Sequence, residues 1–189
     1  MVKAKAPRNK TLELSPKEIA LYASKAVKLS QKSNLTDVIN RVIRQDSFKA
    51  LDLLPDDCID LMIVDPPYNL TKNFGKSTFK EMDFDAYKKW LDKWLKKTVR
   101  LLKDNASIYI CADWKTSICI PEAAGKYFIL RNRISWEREK GRGAKDNWKN
   151  CLEDIWFFTK GKDYTFNIDA VKVQRPVIAP YRNEKGEPK

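Results

Sequence analysis

Ile59-Asp60-Leu61-Met62-Ile63-Val64 runs straight into Asp65-Pro66-Pro67-Tyr68. An apolar run of this length predicts a strand buried on both faces, as in a parallel sheet with helices over each side. Two prolines cannot continue a central ladder, so the strand ends at Val64. Asp65 to Tyr68 is therefore expected at the C-terminal end of a buried strand. That edge is where open α/β sheets take their ligands.

Upstream, residues 1–14 read as a flexible basic arm. Ser15-Pro16-Lys17-Glu18 is a helix start, with Ser as N-cap, Pro at N1 and Glu closing a capping box. Ile19, Tyr22, Ala23, Ala26 and Leu29 then recur at helical spacing, which predicts a helix to Ser30 with one apolar face. Residues 41–45 predict a short strand and 47–54 a short helix, closed by a turn at Pro55-Asp56-Asp57.

Downstream, residues 69–82 read as a polar loop. Asp83 or Asp85 caps a long helix with Tyr87, Trp90, Leu91, Trp94 and Leu95 on its core side and lysines opposite. Further strands are expected at 106–111, 128–136 and 155–159, with another at 164–166 across a hairpin at Gly161. Residues 114–125 predict a short helix interrupted by Pro121, and 137–150 a charged loop. From Val171 onward the chain turns Pro-rich and charged and reads as a linker or tail. The alternation argues for one doubly wound α/β domain over residues 15–170.

Composition narrows the chemistry. The 189 residues include no histidine, which excludes a Ser-His-Asp triad, a Cys-His pair and a His metal site. No metal is expected. Cys58, Cys111, Cys119 and Cys151 form no C-x-x-C pair and read as free thiols. The net charge of +12 favours polyanionic partners. No window approaches the roughly 18 apolar residues of a membrane span. The basic N-terminus has no apolar stretch behind it, so a cytoplasmic location is the expectation.

The motif suits one reaction. The N6 amino nitrogen of adenine is a poor nucleophile because its lone pair is delocalised into the ring. Acceptors aimed at both amino hydrogens draw electron density onto the nitrogen. The Asp65 carboxylate and the Pro66 carbonyl are two such acceptors. Proline at 66 fixes its carbonyl and carries no competing N–H, and Pro67 stiffens the turn. Tyr68 offers a face on which a flipped-out base can stack. Such fixed acceptors need no reorganisation as charge develops.

Asp65-Pro66-Pro67-Tyr68, after an apolar strand and before Asn69, resembles motif IV of the amino-methyltransferases that use S-adenosylmethionine. The Asp form resembles the adenine-N6 enzymes; Ser in first position is more usual in cytosine-N4 enzymes. Residues 41–48, 53–57, the helix over 85–103 with the strand after it, 132–136 and 153–160 follow the order of the subgroup in which motif IV precedes the cofactor motif. The similarity spans residues 38–170. It implies a Rossmann-like S-adenosylmethionine-dependent sheet, double-stranded DNA as substrate and a restriction-modification setting. By that resemblance Asp65, Pro66, Pro67 and Tyr68 are catalytic; Asp65 and Asn69 border the cofactor; Tyr68 and Phe74 face the base. Trp114, just beyond the strand at 106–111, is a candidate wall of the site or a core residue, and Asp113 beside it a candidate contact to cofactor or substrate.

One departure has a large consequence. The subgroup carries a Phe-x-Gly-x-Gly cofactor motif after its target-recognition segment, and no such motif occurs here. The six glycines are Gly75, Gly125, Gly141, Gly143, Gly161 and Gly186, and Gly141-Arg142-Gly143 follows no apolar strand. The sheet is thus expected to be incomplete: a fragment, or one part of a split enzyme whose second chain supplies the cofactor-binding half. Arg138, Lys140, Arg142 and Lys145, with Lys149 and Trp148, read as a basic loop suited to DNA phosphates or simply as a solvated loop. Two other readings fit the same residues. One is a cytosine-N4 or other amino-methyltransferase; the other is a non-catalytic nucleic-acid-binding subunit or decayed remnant.

Overall fold

The structure is a computed structural model that describes residues 13–73, 77–142, 145–146, 148–174 and 181–187, without the side chains of 139–142. The elements in chain order are α1 (Pro16–Lys25), α2 (Leu35–Val38), α3 (Ser47–Leu53), β1 (Ile59–Val64), β2 (Lys72–Asn73), β3 (Thr78–Phe79), α4 (Phe84–Thr98), β4 (Leu102–Ala112), α5 (Cys119–Ala124), β5 (Ile129–Arg142) and β6 (Asn150–Thr159). Short 3₁₀ turns follow α4 and precede the tail.

Among the described residues the main sheet has the order β1-β4-β6-β5. β1 pairs with β4 in parallel, while β6 runs antiparallel to both β4 and β5. A parallel neighbour needs a long crossover, and here α4 makes it. Asp83 caps that helix by accepting from the Ala86 amide at 2.8 Å. Tyr87, Leu91, Trp94, Leu95 and Thr98 form its buried side, as the helical spacing predicts.

The core lies on one face of the sheet. Ala106, Ile108, Ile110 and Ala112 of β4 and Phe158 of β6 are buried against α4 and α5, with Phe48 and Leu51 of α3 at the margin. Met62 and Val64 point into the same cluster. Arg100 ties the end of α3 to this layer, donating to the Leu51 carbonyl at 2.6 Å and the Leu54 carbonyl at 2.9 Å and pairing with Asp56.

β1 corrects the expectation of two buried faces. Leu61 and Ile63, which alternate with Met62 and Val64, are 54% and 69% exposed. On this second face Tyr109 stacks on Phe157 with ring centroids 4.7 Å apart. Tyr164 and Phe166 pack on the outer side of Phe157. Hydrophobic content alone does not say whether a neighbour covers a strand; that depends on what the rest of the fold brings to it.

Several boundaries also move. Helix α1 ends at Lys25, five residues before Ser30, and Ile19 and Tyr22 stay exposed. An amphipathic pattern is not enough to bury a face that meets no core. Residues 41–45 form only an isolated bridge, Val27 with Ile43, in place of a strand. The helix expected over 114–125 is helical only from Cys119 to Ala124; Asp113 caps a turn ahead of it. The loop expected over 137–150 is mostly hairpin, because β5 continues to Arg142 and β6 begins at Asn150. Residues 164–166 form no strand. Gly161 follows β6 where an added Cβ would lie 2.5 Å from the Asp104 carbonyl, so close backbone approach explains the glycine.

Candidate active site

The motif leaves the sheet at the C-terminal end of β1. Asp65 is exposed, Pro66 buried, and Pro67 and Tyr68 half-buried. The turn is braced from the helical side by Tyr87 of α4, whose hydroxyl donates to the Pro67 carbonyl at 2.9 Å. Burial pushes the Tyr87 phenol well above its ordinary pKa, with the charge of Asp113 adding to the effect. The hydroxyl thus stays protonated and keeps donating. A further tight turn follows, in which the Leu70 amide donates to the Tyr68 carbonyl at 2.6 Å.

Asn69 is 1% exposed. Its amide nitrogen donates to the Met82 carbonyl at 2.7 Å, and its amide oxygen accepts from the Met82 backbone at 2.8 Å. A side chain that satisfies both backbone groups of one distant residue closes a loop. Here it ties Met82, which follows β2 and β3 in the chain, back to the end of the motif. Asp113 accepts from the amide and hydroxyl of Thr116. Both side chains lie beside the motif's end of the sheet, in roles that shape the backbone.

On the second face three strands converge. The Tyr68 hydroxyl donates to Glu153 Oε2 of β6 at 3.3 Å. Glu153 Oε1 pairs with Arg138 of β5 at 2.8 Å. The Tyr68 phenol is pushed far above its usual pKa, first by burial and then by the charges of Asp65 and Glu153. The Cys111 thiol of β4 is raised by burial and by the same two carboxylates. Asp65, Tyr68, Cys111, Glu153 and Arg138 thus form one cluster drawn from the turn after β1 and from β4, β6 and β5.

Glu153 and Cys111 carried no functional signal in the sequence beyond one acidic residue heading an apolar strand. Cys111 comes to the motif through the parallel register that sets Ile110 opposite Val64, and Glu153 through the antiparallel register that sets Cys111 opposite Ile155. Arg138, expected in a basic loop that meets DNA phosphates or solvent, lies instead in β5 with its guanidinium on Glu153. Lys140 and Arg142 are in β5, with side chains outside the described residues, and Phe74 is outside them altogether. Lys145 is exposed between β5 and β6, and Trp148 is almost fully exposed near it. Trp114 is exposed beyond β4. The lysines of α4 face solvent and acidic partners: Lys88 pairs with Glu122 at 2.9 Å and Lys97 with Asp52 at 2.5 Å.

A nucleotide-type cofactor needs backbone that can come close to it, usually at a Gly-rich strand-to-helix turn. Among the described glycines, Gly125 follows α5, Gly141 lies within β5, Gly161 follows β6, and Gly186 lies in the tail. None follows a strand of the parallel pair. The residues described here do not fit a complete cofactor cradle.

The family model described as DNA methylase matches residues 59–177. The type II methyltransferase M.HpaI of Haemophilus parainfluenzae is 34% identical over 151 residues, which are 77% of this chain and 47% of that protein. The DNA adenine methyltransferase YhdJ of Escherichia coli is 31% identical over 156 residues, 78% of this chain and 52% of that protein. The chain therefore spans about half the length of these relatives. Among solved structures, the PvuII DNA methyltransferase (cytosine-N4-specific) superposes with a TM-score of 0.57 at 18% identity, over 82% of this chain and 60% of that one. That likeness bears on the fold alone, and it agrees with an incomplete Rossmann-like sheet.

Proposed function

The chain belongs to the DNA methylase family of N6/N4 methyltransferases, and from that premise we propose that it is the motif-bearing part of an adenine-N6 methyltransferase acting on double-stranded DNA in a restriction-modification system. The observation that carries the reading is Asp65-Pro66-Pro67-Tyr68 at the open C-terminal end of β1. Asp in first position favours adenine over cytosine-N4, as does the name of the E. coli relative.

In this reading Asp65 Oδ and the Pro66 carbonyl accept the two amino hydrogens of a flipped-out adenine while Tyr68 stacks on its ring. Orientation and fixed acceptors supply the catalysis, with no covalent intermediate on the protein. Tyr87 and Asn69 hold the turn from behind. Lys145 and its neighbours at the tip of the β5–β6 hairpin supply phosphate contacts. The methyl donor is S-adenosylmethionine, and its cradle lies on polypeptide that joins the free edge of β1. Support for that seam comes from β1 itself: among the described residues it pairs on one side only, and Asp60 is the one charge on an otherwise apolar edge.

The test is methyl transfer to double-stranded DNA from labelled S-adenosylmethionine, by the chain alone and with a polypeptide carrying the Gly-rich cofactor loop. The product is digested to nucleosides. N6-methyladenine, lost in Asp65→Ala with an unchanged melting curve, is the expected result. N4-methylcytosine would move the assignment to the other amine, and undiminished transfer by Asp65→Ala would remove Asp65 from the chemistry.

A further inference from the structure

The Tyr68 hydroxyl has one hydrogen, and it feels the charges of two carboxylates, Asp65 three residues back in the turn and Glu153 of β6. Its hydrogen bond runs to Glu153 Oε2 at 3.3 Å. The direction matters to Asp65. A carboxylate that already accepts from a phenol has less electron density for an amine and one lone pair fewer to offer. If the Tyr68 hydrogen turned to Asp65, the same contact would also pull the tyrosine ring toward the acceptor and away from its stacking position.

Glu153 is built for this duty. Its side chain is 17% exposed, and its two oxygens divide between two partners, Arg138 at 2.8 Å and Tyr68. A sheltered carboxylate without partners is costly, and Arg138 meets that need from the neighbouring strand. The pair is a cross-strand contact of the β5–β6 hairpin, yet its second oxygen reaches back across β4 to the end of β1. A contact serving the hairpin alone would have no use for that second bond.

We propose that Glu153 is a positioning residue, held by Arg138, that takes the Tyr68 hydroxyl hydrogen and so leaves the Asp65 carboxylate open to the target amine. The inference rests on the assignment of Asp65 and Tyr68 to the target base. Glu153 acts through Tyr68 and touches no reacting atom. A carboxylate is a stronger acceptor than an amide, so Glu153→Gln releases the hydroxyl to Asp65 just as Glu153→Ala does.

Two measurements test it. The first needs no activity: the chain is labelled with ¹³C at tyrosine Cζ and the Tyr68 resonance is assigned by its loss in Tyr68→Phe. Glu153→Gln is expected to shift that resonance further than Asp65→Asn does. A larger shift from Asp65→Asn, or none from Glu153→Gln in a protein with unchanged circular dichroism, overturns the proposal. The second is a double-mutant cycle on single-turnover methyl transfer. Glu153→Ala is expected to slow transfer roughly tenfold, the scale of one misdirected hydrogen bond, with DNA affinity unchanged. In a Tyr68→Phe background, which has no hydroxyl to misdirect, the same change is expected to have no further effect. Additive losses would overturn the proposal while leaving the role of Asp65 intact. Undiminished transfer by Asp65→Ala would instead bring down the functional reading, and the resonance measurement would still decide where the Tyr68 hydrogen goes.

Discussion

On one face of the sheet Ile108, Ile110 and Phe158 are sealed under α4 and α5. On the other face, one residue along from such positions, Leu61, Ile63 and Trp136 meet solvent and Tyr68, Glu153 and Arg138 form a polar network. The strands are common to both faces, since successive side chains point opposite ways. The covered face holds the molecule together through area removed from water. The open face carries the polar groups of the candidate site, and its exposed apolar residues contribute little until something covers them. The motif sits at the boundary. Tyr87 braces it from the covered side, and Glu153 orients it from the open side.

The largest effect is expected on the covered face. Ile108→Ala removes a fully buried side chain and should cost about 2–5 kcal/mol in urea unfolding; a loss below 1 kcal/mol would mean that this face is not the core. Asn69→Ala is next. It leaves both backbone groups of Met82 without their partner, and about 1–3 kcal/mol is expected. The same variant should raise the proteolytic sensitivity of the 70–81 segment. Trp156→Phe probes a smaller polar contact under the sheet, where the indole donates to Ser117 Oγ at 2.8 Å and Ser117 donates to Asp154 at 2.5 Å. About 1 kcal/mol is expected from that single bond.

On the open face Leu61→Ala and Ile63→Ala should fall within about 0.5 kcal/mol of the parent, as for surface sites generally. A cost comparable to Ile108→Ala would show that the open face is covered in solution. The smallest effect concerns acid. Asp56, held down by Arg100, and Asp92, held down by Lys126 and Tyr127, have carboxyl groups lowered by their partners. Groups lowered on folding contribute stability that is present above their unfolded pKa and lost as the pH falls through the folded value. Both are surface groups, so a melting curve should soften only slightly, and only below the ordinary carboxylate range. A loss of melting temperature on raising the pH from 5 to 8, about the usual plateau of stability, would reverse that sign.

Much of the site was legible from local chemistry. Residues 59–68 state a strand, its end and a set of acceptors within ten positions, and each depends on a neighbour in sequence. The capping box at Ser15 and the apolar side of α4 are equally local, and both are observed. Three kinds of statement were not available there. Burial of Leu61 and Ile63 depends on what lies above them. The strand character of Arg138 to Arg142 depends on pairing with β6, which a charged, glycine-containing stretch does not announce. Glu153 enters the site only because β4 and β6 pair antiparallel in one register.

The amino-acid sequence by itself determined the reaction class that the motif suits: two fixed acceptors and an aromatic face need only the order Asp, Pro, Pro, Tyr at the end of a strand. It also determined that these 189 residues offer no histidine. The tertiary structure decided which side of the strand is core, which is open, and which distant carboxylate meets the Tyr68 hydroxyl. Acceptor geometry at a turn is set over a few bonds, whereas contact between residues 68 and 153 exists only once the intervening helices and strands have packed.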